Sequence, residues 1–474
     1  MVTALPMGDR AILLEVGTLD DVLALHAALA ASRPDGVVDI VPAARTVLVR
    51  IDPRRIALAA ARTWALAAAA DDAPIEQDAR EVELDVVYDG EDLADTAALL
   101  GVGPDELVRR HASARWSVAF TGFAPGFGYL VSDDWPFDVP RLDVPRTRVP
   151  AGSVALAAGF SGAYPRETPG GWRLIGTTSA ILFDPDAASP ALLAPGTIVR
   201  FRAAREHLVA VRPQVAEPAS AARDTTRGVL RILEPGLLAT VQDDGRAGAA
   251  SLGVAGSGAL DRGALRTANR LVGNPEDAAA VEITMGGLRA TATADVWFAV
   301  TGAWGRITLD GRELDPYEAH SWPSGAELHL DWFAHGARAY LAVRGGIDTP
   351  VMLGSRSTDV MSGIGPAPLA PGAVLALGPL PDTPIPVGEL QPWGAPRDEE
   401  LEIALGPGPR ADWFAASAHS ALFDAVWTVS QAADRVGIRL EGPALERTRS
   451  EELPSEGMVP GALQVPPNGR PVVL

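Results

Sequence analysis

The sequence of 474 residues contains no cysteine. This absence excludes disulfide bonds, thiolate nucleophiles and zinc sites built from thiolates. Lysine is absent as well, so all 40 basic side chains are arginine. A chain without lysine has no P-loop lysine, no Schiff-base lysine and no lysine that could carry biotin. A site that handles phosphate must therefore take its positive charge from arginine.

The sequence also lacks apolar runs that are long enough to span a bilayer, and residues 1–10 do not resemble a signal peptide. We therefore expect a cytoplasmic protein without a membrane partner. A formal net charge of −20 argues against a nucleic-acid partner. Small-molecule substrates and other proteins remain as candidate partners. The formation of a homo-oligomer also remains open.

The first eighty residues alternate between strand and helix patterns and predict an α+β module. Thr18 is the expected cap of a first helix, and a second helix is expected from residue 53 to about 69. The strand pattern covers residues 11–17, 37–41, 46–51 and 81–87. The order β-α-β-β-α-β is that of a ferredoxin-like fold, so we assign residues 1–80 to a ferredoxin-like N-terminal domain.

Beyond residue 89, strand and turn patterns dominate, and the chain as a whole is predicted to be mainly β. Residues 213–228 are polar, rich in alanine and proline and free of aromatic residues, which is typical of a linker. They separate a β domain at 81–212 from a second β region at 229–474. One helix interrupts the second region, with Ser257 as its expected cap and Gly273 at its end.

The segment 120–130 reads FTGFAPGFGYL and combines four aromatic residues with three glycines and a proline. Strands favour the aromatic residues, whereas turns favour glycine and proline. A plain hairpin needs a turn of only two residues. So many flexible positions beside large rings indicate a backbone that something else approaches closely.

With its flanks, this segment resembles the family of the 5-oxoprolinase B subunit, also called allophanate hydrolase subunit one. The resemblance runs from Gly8 to about Arg202. The features that carry it are His111, the GFxPGF pattern at 122–127 with Tyr129 and Leu130, PAGS at 150–153 and PGGW at 169–172. Agreement in both spacing and flanks makes this signature specific.

The second half resembles the partner family, the 5-oxoprolinase C subunit, also called allophanate hydrolase subunit two. The matching motifs are TVQDxGR at 240–246, SGALD at 257–261, ANxLVGN at 268–274, LGSRST at 353–358 and QVPP at 464–467. The two resemblances together cover nearly the whole chain. The sequence is therefore similar to a fusion of both subunits, and residues 213–228 would be the junction.

The resemblance implies a cyclophilin-like β-barrel after the N-terminal module and two barrel-like halves in 229–474. It also implies a component of an ATP-dependent 5-oxoprolinase, which opens 5-oxo-L-proline to L-glutamate with a separate A-type subunit. ATP, expected with Mg²⁺, would activate the unreactive lactam by phosphorylating its oxygen, which makes a better electrophile for water. No biotin can be attached to this chain.

Two other functions stay open. Carboxyl transfer is one, because the carboxyltransferase region of urea carboxylase resembles both halves joined; a lysine-free chain would then need a biotin-carrying partner. Regulation is the other, because the first family is also known as inhibitors of a sporulation kinase. Allophanate hydrolysis itself would require an amidase-like Ser–Ser–Lys arrangement, which this chain cannot form.

The motifs supply the candidate site residues. The candidate catalytic residues are His111, Gln242, Asp243, Arg246 and Asp261. The candidate substrate- or phosphate-binding residues are Gly122, Pro125, Gly126, Ser257, Gly258, Asn269, Glu282 and Gln464. We predict no metal site, because the spacings of His320, His329 and His335 fit no usual ligand pattern.

Structural roles are the alternative for several of these residues. In the first family the Gly-Pro-Gly segment lies near the proposed site, so the N–H groups of Gly122 and Gly126 could meet a ligand oxygen. The alternative is a tight barrel corner. Ser257 and Asp261 could simply cap a helix, whose N-terminus would also attract a substrate carboxylate or phosphate. The side chain of Asp243 could hold only a turn.

Two further expectations concern Arg246 and the C-terminal residues. A charged, glycine-flanked arginine is expected to bind an anion rather than fill a core, so that Arg246→Ala impairs turnover far more than folding. The second family usually continues beyond the position of Leu474. We therefore expect the strand around 464–474 to expose unpaired N–H and C=O groups beside 472–474.

Overall fold

The computed structural model describes residues 2–69, 80–206, 229–387, 394, 400–451 and 453–474. The predicted linker at 213–228 lies outside these residues. The helices of the first part are α1 (Leu19–Ala31), α2 (Leu58–Ala68), α3 (Leu93–Leu99) and α4 (Pro104–Ser113). Its strands are β1 (Thr3–Pro6), β2 (Ala11–Glu15), β3 (Val37–Pro42), β4 (Thr46–Ile51), β5 (Glu81–Val86), β6 (Trp116–Thr121), β7 (Gly128–Val131), β8 (Arg146–Val149), β9 (Ser153–Ala157), β10 (Phe160–Ala163), β11 (Thr168–Gly170), β12 (Arg173–Thr177) and β13 (Ile198–Ala203).

The rest of the chain has only two α-helices, α5 (Arg262–Leu271) and α6 (Ala416–Asp424), within its described residues, so the structure is mainly β, as predicted. Its strands are β14 (Val229–Pro235), β15 (Leu238–Gln242), β16 (Ala280–Thr284), β17 (Leu288–Ala292), β18 (Val296–Trp304), β19 (Ile307–Leu309), β20 (Arg312–Leu314), β21 (His320–Trp322), β22 (Glu327–Leu330), β23 (His335–Val343), β24 (Ile347–Asp348), β25 (Val374–Leu377), β26 (Thr428–Val429), β27 (Ile438–Glu441), β28 (Leu463–Gln464) and β29 (Val472–Val473).

Contacts group the chain into two compact units. The first comprises Met1–Ala210, Gly248–Val254 and Ile403–Leu474, and the second comprises Val211–Ala247 and Ala255–Glu402. The predicted boundaries placed 229–474 in a single half. In the structure, two pieces of that half belong to the first unit, because their contacts lie with the N-terminal part of the chain.

The N-terminal module is an antiparallel sheet in the order β1-β2-β4-β3 with α1 and α2 packed on it. The Thr18 hydroxyl accepts a hydrogen bond from the Asp21 N–H, and the Asp21 carboxylate accepts one from the Thr18 N–H. This capping box confirms the predicted start of α1. The apolar side chains that the two helices bury are Val22, Leu25, Leu29, Ala61 and Ala65.

The predicted ferredoxin-like order is not confirmed. The place beside β2 is taken by β1, for which the sequence carries no prediction. The expected closing strand, β5, enters a different sheet and runs parallel to β13, with Glu81 opposite Ile198 and Val86 opposite Ala203. An alternating pattern predicts a strand but not its neighbour, so it could not show which sheet β5 joins.

Seven strands form the next sheet, in the order β12-β9-β10-β7-β6-β13-β5. Its two edges meet after β5, where Val87 and Thr177 exchange backbone hydrogen bonds of 2.9 and 2.8 Å. The sheet is therefore a near-closed barrel, and its cyclophilin-like type stays a prediction. Its interior is filled by side chains that include Trp116, Val118, Leu130, Leu156 and Val199.

Two sheets share one core in the second unit. Their strand orders are β20-β19-β22-β17-β14-β25-β24 and β15-β16-β23-β18-β21. The core between them includes Ile232, Val281, Phe298, Trp322 and Leu328. Ala280, Ala299 and Tyr340 alternate with core residues along the second sheet, so they face the opposite side, where they pack with α5.

Residues 403–474 end in a small sheet with the order β26-β27-β29-β28. The strand β29 pairs with Ile438–Arg439 on one side and with β28 on the other. Leu474 also forms backbone hydrogen bonds with Gly461 and Ala462, of 2.7 and 3.0 Å. The expected row of unpaired groups beside 472–474 is therefore wrong, because this strand lies inside its sheet.

No helix within the described ranges has both the length and the apolarity needed to cross a membrane. The longest of these helices, α1, has 13 residues. At 1.5 Å per residue it would extend about 20 Å, compared with about 30 Å for the hydrocarbon core of a bilayer. The cytoplasmic location stays a prediction.

A substitution at Gly90 offers a test of the closure of the barrel. A Cβ atom at this position would lie 2.4 Å from both the carbonyl oxygen of Leu174 and the carbonyl carbon of Ile175. Backbone atoms cannot rotate away, so Gly90→Ala is expected to lower the free energy of unfolding by about 1–3 kcal/mol. Gly159→Ala is the control, because nothing lies within 4 Å of its added Cβ. Equal stabilities of the two variants in chemical unfolding would contradict the closure geometry.

Candidate functional site

The turn that follows β15 brings several predicted site residues together in the second unit. Gly245 has φ +88, and a Cβ there would lie 2.6 Å from the carbonyl oxygen of Gly256. A Cβ at Gly258 would lie 2.7 Å from the nitrogen of Gly245. Two backbones can approach this closely only where both residues lack a side chain. The motifs at 240–246 and 257–261 are thus interlocked, which places Ser257 beside the turn.

The carboxylate of Asp243 is the anchor of this turn. It accepts hydrogen bonds from the Ser355 hydroxyl at 2.6 Å, the Ser357 hydroxyl at 2.5 Å, the Arg356 N–H at 2.6 Å and the Gly245 N–H at 2.8 Å. Burial by itself would raise the pKa of Asp243, but these hydrogen bonds outweigh it and lower the pKa. The carboxylate is therefore ionised, and both of its oxygens accept hydrogen bonds. This geometry supports an anchoring role for Asp243, and its predicted catalytic role stays a prediction.

Arg246 is buried beneath the same loop, with 3% of its surface exposed. Its Nε donates to the Met352 carbonyl at 3.2 Å, and its Nη2 donates to the Ser357 carbonyl. Burial lowers the pKa of Arg246, while the charges of Asp359 and Asp243 oppose this shift. The expectation that Arg246 does not fill a core is therefore wrong. Its Nη1 is nevertheless buried without a hydrogen-bond partner in the structure, so it can donate to a ligand.

Gln242 and Thr358 contribute two more unpaired atoms. The Nε2 of Gln242 donates to the Thr240 hydroxyl at 3.0 Å and to the Thr358 carbonyl at 3.1 Å. Its Oε1 and the Thr358 hydroxyl are buried and lack a partner. Gln242 and Arg246 therefore bind the adjacent carbonyls of Thr358 and Ser357. We call Gln242, Arg246 and Thr358 the polar cluster; it offers an acceptor, a cationic donor and a hydroxyl.

The 355–359 loop holds site residues that were not among the predicted ones. Ser355, Ser357 and Thr358 are each at most 1% exposed. The first two bind Asp243, and the third belongs to the polar cluster. The signal in the sequence is the hydroxyl-rich motif LGSRST, which carries the resemblance but by itself indicates no site.

The N-terminus of α5 is already capped by Asp261, whose carboxylate accepts from the Ala264 N–H at 2.9 Å. Ser257, the expected cap, lies outside the helix and has φ +49. The buried carboxylate of Glu282 accepts from the Leu260 N–H at 3.1 Å and from the Tyr340 hydroxyl at 2.8 Å. Burial and the nearby charge of Glu282 raise the pKa of Tyr340. Two carboxylates at this helix end disfavour the predicted binding of a substrate anion there.

Asn269 has a structural role in the loop after α5. Its Nδ2 donates to the carbonyls of Glu276 and Ala278 at 3.2 and 2.8 Å. Its Oδ1 accepts from the Nδ2 of Asn274 at 3.0 Å. Asn269 is fully buried, and these bonds use its amide groups. These bonds favour a structural role, and the predicted substrate-binding role of Asn269 stays a prediction.

In the first unit, His111 is fully buried in the barrel. Its Nδ1 and Nε2 lie 2.8 Å from the hydroxyls of Tyr88 and Ser161, respectively. Its ring stacks on Phe201 with a centroid distance of 4.4 Å. Burial lowers the pKa of His111 to about 3, so the ring is neutral at physiological pH. A fully buried, neutral histidine whose two ring nitrogens both have hydrogen-bond partners fits a structural role better than the predicted catalytic one.

The glycines of the segment 120–130 serve a close contact within the chain. The Gly126 N–H donates to the Leu252 carbonyl at 2.9 Å, and the Gly122 N–H donates to the Phe127 carbonyl at 3.1 Å. Pro125 is buried and has no N–H to offer. The predicted meeting of these N–H groups with a ligand oxygen is wrong, because both have partners. The prediction of a closely approached backbone is confirmed.

The remaining candidates do not form a metal centre. Gln464 lies exposed on β28 in the first unit. His320 bonds the carbonyl of Asp315 at 2.7 Å, and His329 lies 3.6 Å from a carboxylate oxygen of Asp331. Over the part of the chain that the structure describes, no three His, Asp or Glu side chains are grouped as metal ligands.

Comparisons with known proteins match both halves of the chain. Residues 2–193 match the family model "Carboxyltransferase domain, subdomain C and D", and residues 252–474 match "Carboxyltransferase domain, subdomain A and B". The chain is 39% identical over 252 residues to the 5-oxoprolinase C subunit of Escherichia coli K12, which covers 52% of this chain and 79% of the relative. It is 42% identical over 173 residues to the 5-oxoprolinase B subunit of Escherichia coli O157:H7, covering 35% and 77%, respectively.

This chain belongs to the family of the 5-oxoprolinase B and C subunits, with both subunit types in one polypeptide. The crystal structure of TTHA0988 is similar over 98% of this chain and 92% of that one, with a TM-score of 0.84 and 36% identity. Urea amidolyase of Saccharomyces cerevisiae is 31% identical over 242 residues, but the match covers only 13% of that protein. The resemblance inferred from the motifs is confirmed.

Asp243→Asn is expected to destabilise this 5-oxoprolinase-family protein strongly. An amide cannot accept bonds from four donors, so buried hydroxyl and N–H groups would be left unpaired, at about 1–3 kcal/mol for each lost partner. Asp244→Asn is the control, because the Asp244 carboxylate makes one ion pair with Arg266 at 2.7 Å and is partly exposed. Melting temperatures of the two variants measure the difference; equal losses would contradict the anchoring role.

The burial of His111 predicts a specific acid sensitivity. The unfolded chain takes up a proton at His111 near pH 6.5, whereas the folded protein, in which the pKa is lowered, does so only near pH 3. The contribution of this residue to stability is therefore complete above pH 6.5 and is lost as the pH falls toward 3, by up to about 1.4 kcal/mol per pH unit.

His111→Gln should remove this loss, so between pH 4 and 6 its stability should fall less steeply than that of the wild type. His419→Gln is the control, since His419 is exposed. Urea unfolding at a series of pH values measures the slopes. Parallel slopes for the wild type and His111→Gln would show that the histidine titrates normally.

Proposed function

We propose that this chain is the combined B-type and C-type component of an ATP-dependent 5-oxoprolinase, which converts 5-oxo-L-proline to L-glutamate together with a separate A-type subunit. Relatives named as the B and C subunits of this enzyme match different parts of the chain at 42% and 39% identity. A component of a multi-subunit hydrolase is therefore the function that its sequence relatives support.

The observation that carries the proposal is the polar cluster. A lactam holds its C=O acceptor and its N–H donor on one edge, because the ring forces the amide to be cis. The Oε1 of Gln242 can accept from the lactam N–H, while Nη1 of Arg246 can donate to a carbonyl or carboxylate oxygen. Each of these buried atoms costs about 1–3 kcal/mol while it lacks a partner. A small polar ligand would recover that free energy.

Arg246 also fits the proposed phosphate chemistry. ATP with Mg²⁺ would supply the phosphoryl group that activates the lactam oxygen. In a lysine-free chain the charge that meets an oxygen anion must come from arginine. The buried guanidinium is held by the carbonyls of Met352 and Ser357, so it is oriented before a ligand arrives. Nη1, which has no partner in the structure, is the donor left for an anionic oxygen.

Carboxyl transfer to urea is the alternative function that the assay must distinguish from 5-oxoprolinase activity. Urea also presents C=O and N–H groups on one edge, and the yeast urea amidolyase matches 47% of this chain. The match covers a small share of that enzyme, and the absence of lysine would place any biotin on another chain. Both points favour 5-oxoproline as the substrate.

The decisive experiment measures glutamate formation from 5-oxoproline and ATP, with the purified chain, with its cognate A-type subunit and with both. We expect product only with both proteins. Formation of glutamate by this chain alone would contradict the requirement for a partner. Carboxylation of urea with a biotinylated carrier, and no glutamate, would replace the proposal by the alternative.

Gln242→Met tests the polar cluster in the same assay. Methionine keeps the volume but removes the whole amide, both the acceptor Oε1 and the Nε2 donor to Thr240 and Thr358. With folding intact, kcat/KM should fall by about 100-fold or more, as expected when a polar substrate group loses its buried partner. Gln431→Met is the control, because Gln431 is exposed. Unchanged kcat/KM in Gln242→Met, with folding intact, would remove the polar cluster from the substrate site.

A further inference from the structure

A two-stranded sheet of the first unit pairs β8 with β11 and places Gly170 opposite Arg146. We call residues 141–149 and 164–173 the arginine ribbon. It contains five arginines and two acidic residues, whereas in the whole chain acidic residues outnumber arginines by 60 to 40. The arginine ribbon is therefore a local concentration of positive charge in an acidic protein, which favours an anionic ligand.

Two guanidinium groups of the arginine ribbon each have one nitrogen without a partner. Arg146 is held by Glu91 at 2.8 Å through Nε and by Asp92 at 2.7 Å through Nη2. Its Nη1 is buried and lacks a hydrogen-bond partner. The same is true of Nη1 of Arg166 and of the Thr168 hydroxyl. Buried donors without acceptors are rare, and the oxygens of a phosphate group are the acceptors that arginine binds best.

Tyr164 adds a neutral donor beside Arg146. A Cβ at Gly170 would lie 2.4 Å from the Tyr164 hydroxyl oxygen, so the hydroxyl lies against the residue that faces Arg146 in the ribbon. Burial raises the pKa of Tyr164 to about 12, although the Trp172 N–H and the charges of Arg141 and Arg146 act to lower it. The hydroxyl is therefore protonated at neutral pH and can donate a hydrogen bond to an oxygen anion.

Phe123 presents an exposed aromatic ring beside Tyr164. The residue is 61% exposed. The rings of Phe127 and Tyr164 meet it at 75° and 89°, so neither of them stacks on it. Its φ of +69 is unusual for a bulky side chain, and backbone strain of this kind is concentrated at functional sites. The open ring of Phe123 is a surface on which a flat ligand ring can stack.

We propose that Phe123 and the arginine ribbon form a binding site for a nucleoside phosphate. The base stacks on Phe123, and the phosphate oxygens accept hydrogen bonds from Arg146 and Arg166. Tyr164 is next to both parts of the site, and all of these residues belong to the first unit. Because the two Nη1 atoms are buried, a local shift of the arginine side chains accompanies binding.

A nucleoside phosphate combines a flat ring and oxygen anions in one small molecule, as this pairing of an aromatic surface with arginines requires. The choice of a nucleotide over other ring-bearing anions rests on the proposed ATP dependence. The proposal concerns binding alone and assigns no step of phosphoryl transfer to these residues.

The test measures the binding of ADP, adenosine and inorganic phosphate to the purified full chain by isothermal titration calorimetry. ADP should bind at least about tenfold more tightly than either adenosine or phosphate, because only ADP uses both the ring and the arginines. If ADP does not bind, or if adenosine binds as tightly as ADP, the proposal is wrong.

Phe123→Ala isolates the contribution of the ring. It should weaken ADP binding at least about tenfold, whereas Phe123→Tyr, which keeps a flat ring, should bind ADP like the wild type. Phe423→Ala is the matched control, because Phe423 is 63% exposed and also lies in the first unit. Equal ADP affinities of Phe123→Ala and Phe423→Ala would overturn the stacking role.

Arg166→Gln isolates the contribution of the phosphate contact. It should weaken ADP binding by about tenfold and leave adenosine binding unchanged, because adenosine has no phosphate. Arg200→Gln is the control, since Arg200 is an exposed arginine of the first unit that pairs with Glu81. Melting temperatures of all variants report on folding. An equal loss of adenosine and ADP binding in folded Arg166→Gln would refute the phosphate contact.

Two further comparisons separate this proposal from the proposed function. Loss of ADP binding in folded Arg246→Gln, with wild-type affinity in Phe123→Ala, would place the nucleotide in the second unit instead. Glutamate formation by an enzyme whose Phe123→Ala variant binds ADP normally would refute only the site at Phe123. ADP binding that depends on Phe123, without glutamate formation by the complete enzyme, would refute only the 5-oxoprolinase function.

Discussion

The arrangement of the second unit depends on one half-buried carboxylate, that of Asp243. Hydrogen bonds from Ser355, Ser357, Arg356 and Gly245 keep it ionised although it is partly withdrawn from water, which by itself would disfavour the charge. Because these donors come from two separate segments, the same bonds hold the 355–357 loop against the turn at 243–246. The side chains of the polar cluster extend from these segments, so their unpaired atoms owe their positions to this anchor.

Glycines with positive φ allow close contacts between backbone segments in both units. Gly245 and Gly258 let two turns of the second unit touch backbone to backbone, and Gly253 lets residues 248–254 touch segment 120–130. In each case a Cβ would collide with a main-chain atom. The glycines near aromatic residues at 120–130 therefore serve packing within the chain, since what approaches them is another piece of the same polypeptide.

The polar candidate residues differ in whether their polar atoms have hydrogen-bond partners. Asp243, His111 and Asn269 have partners on their polar atoms and hold their surroundings in place. Gln242, Arg246 and Thr358 each keep one buried atom without a partner. Native proteins rarely leave such atoms unsatisfied without a reason, and a bound ligand is one such reason. This contrast is what connects the fold to the proposed 5-oxoprolinase function.

Local patterns in the sequence determined the features that depend on neighbours a few residues away. The capping box at Thr18, the linear motifs of both families and the mainly β composition are of this kind. Only the tertiary structure decided which strand β5 pairs with, that the Gly126 N–H is occupied by Leu252, and that Asp243 is saturated by serines 112 and 114 residues later. The burial of a residue and its hydrogen-bond partners depend on atoms that are distant in sequence and come together only in the fold. Neither strand periodicity nor motif spacing encodes which distant atoms these are.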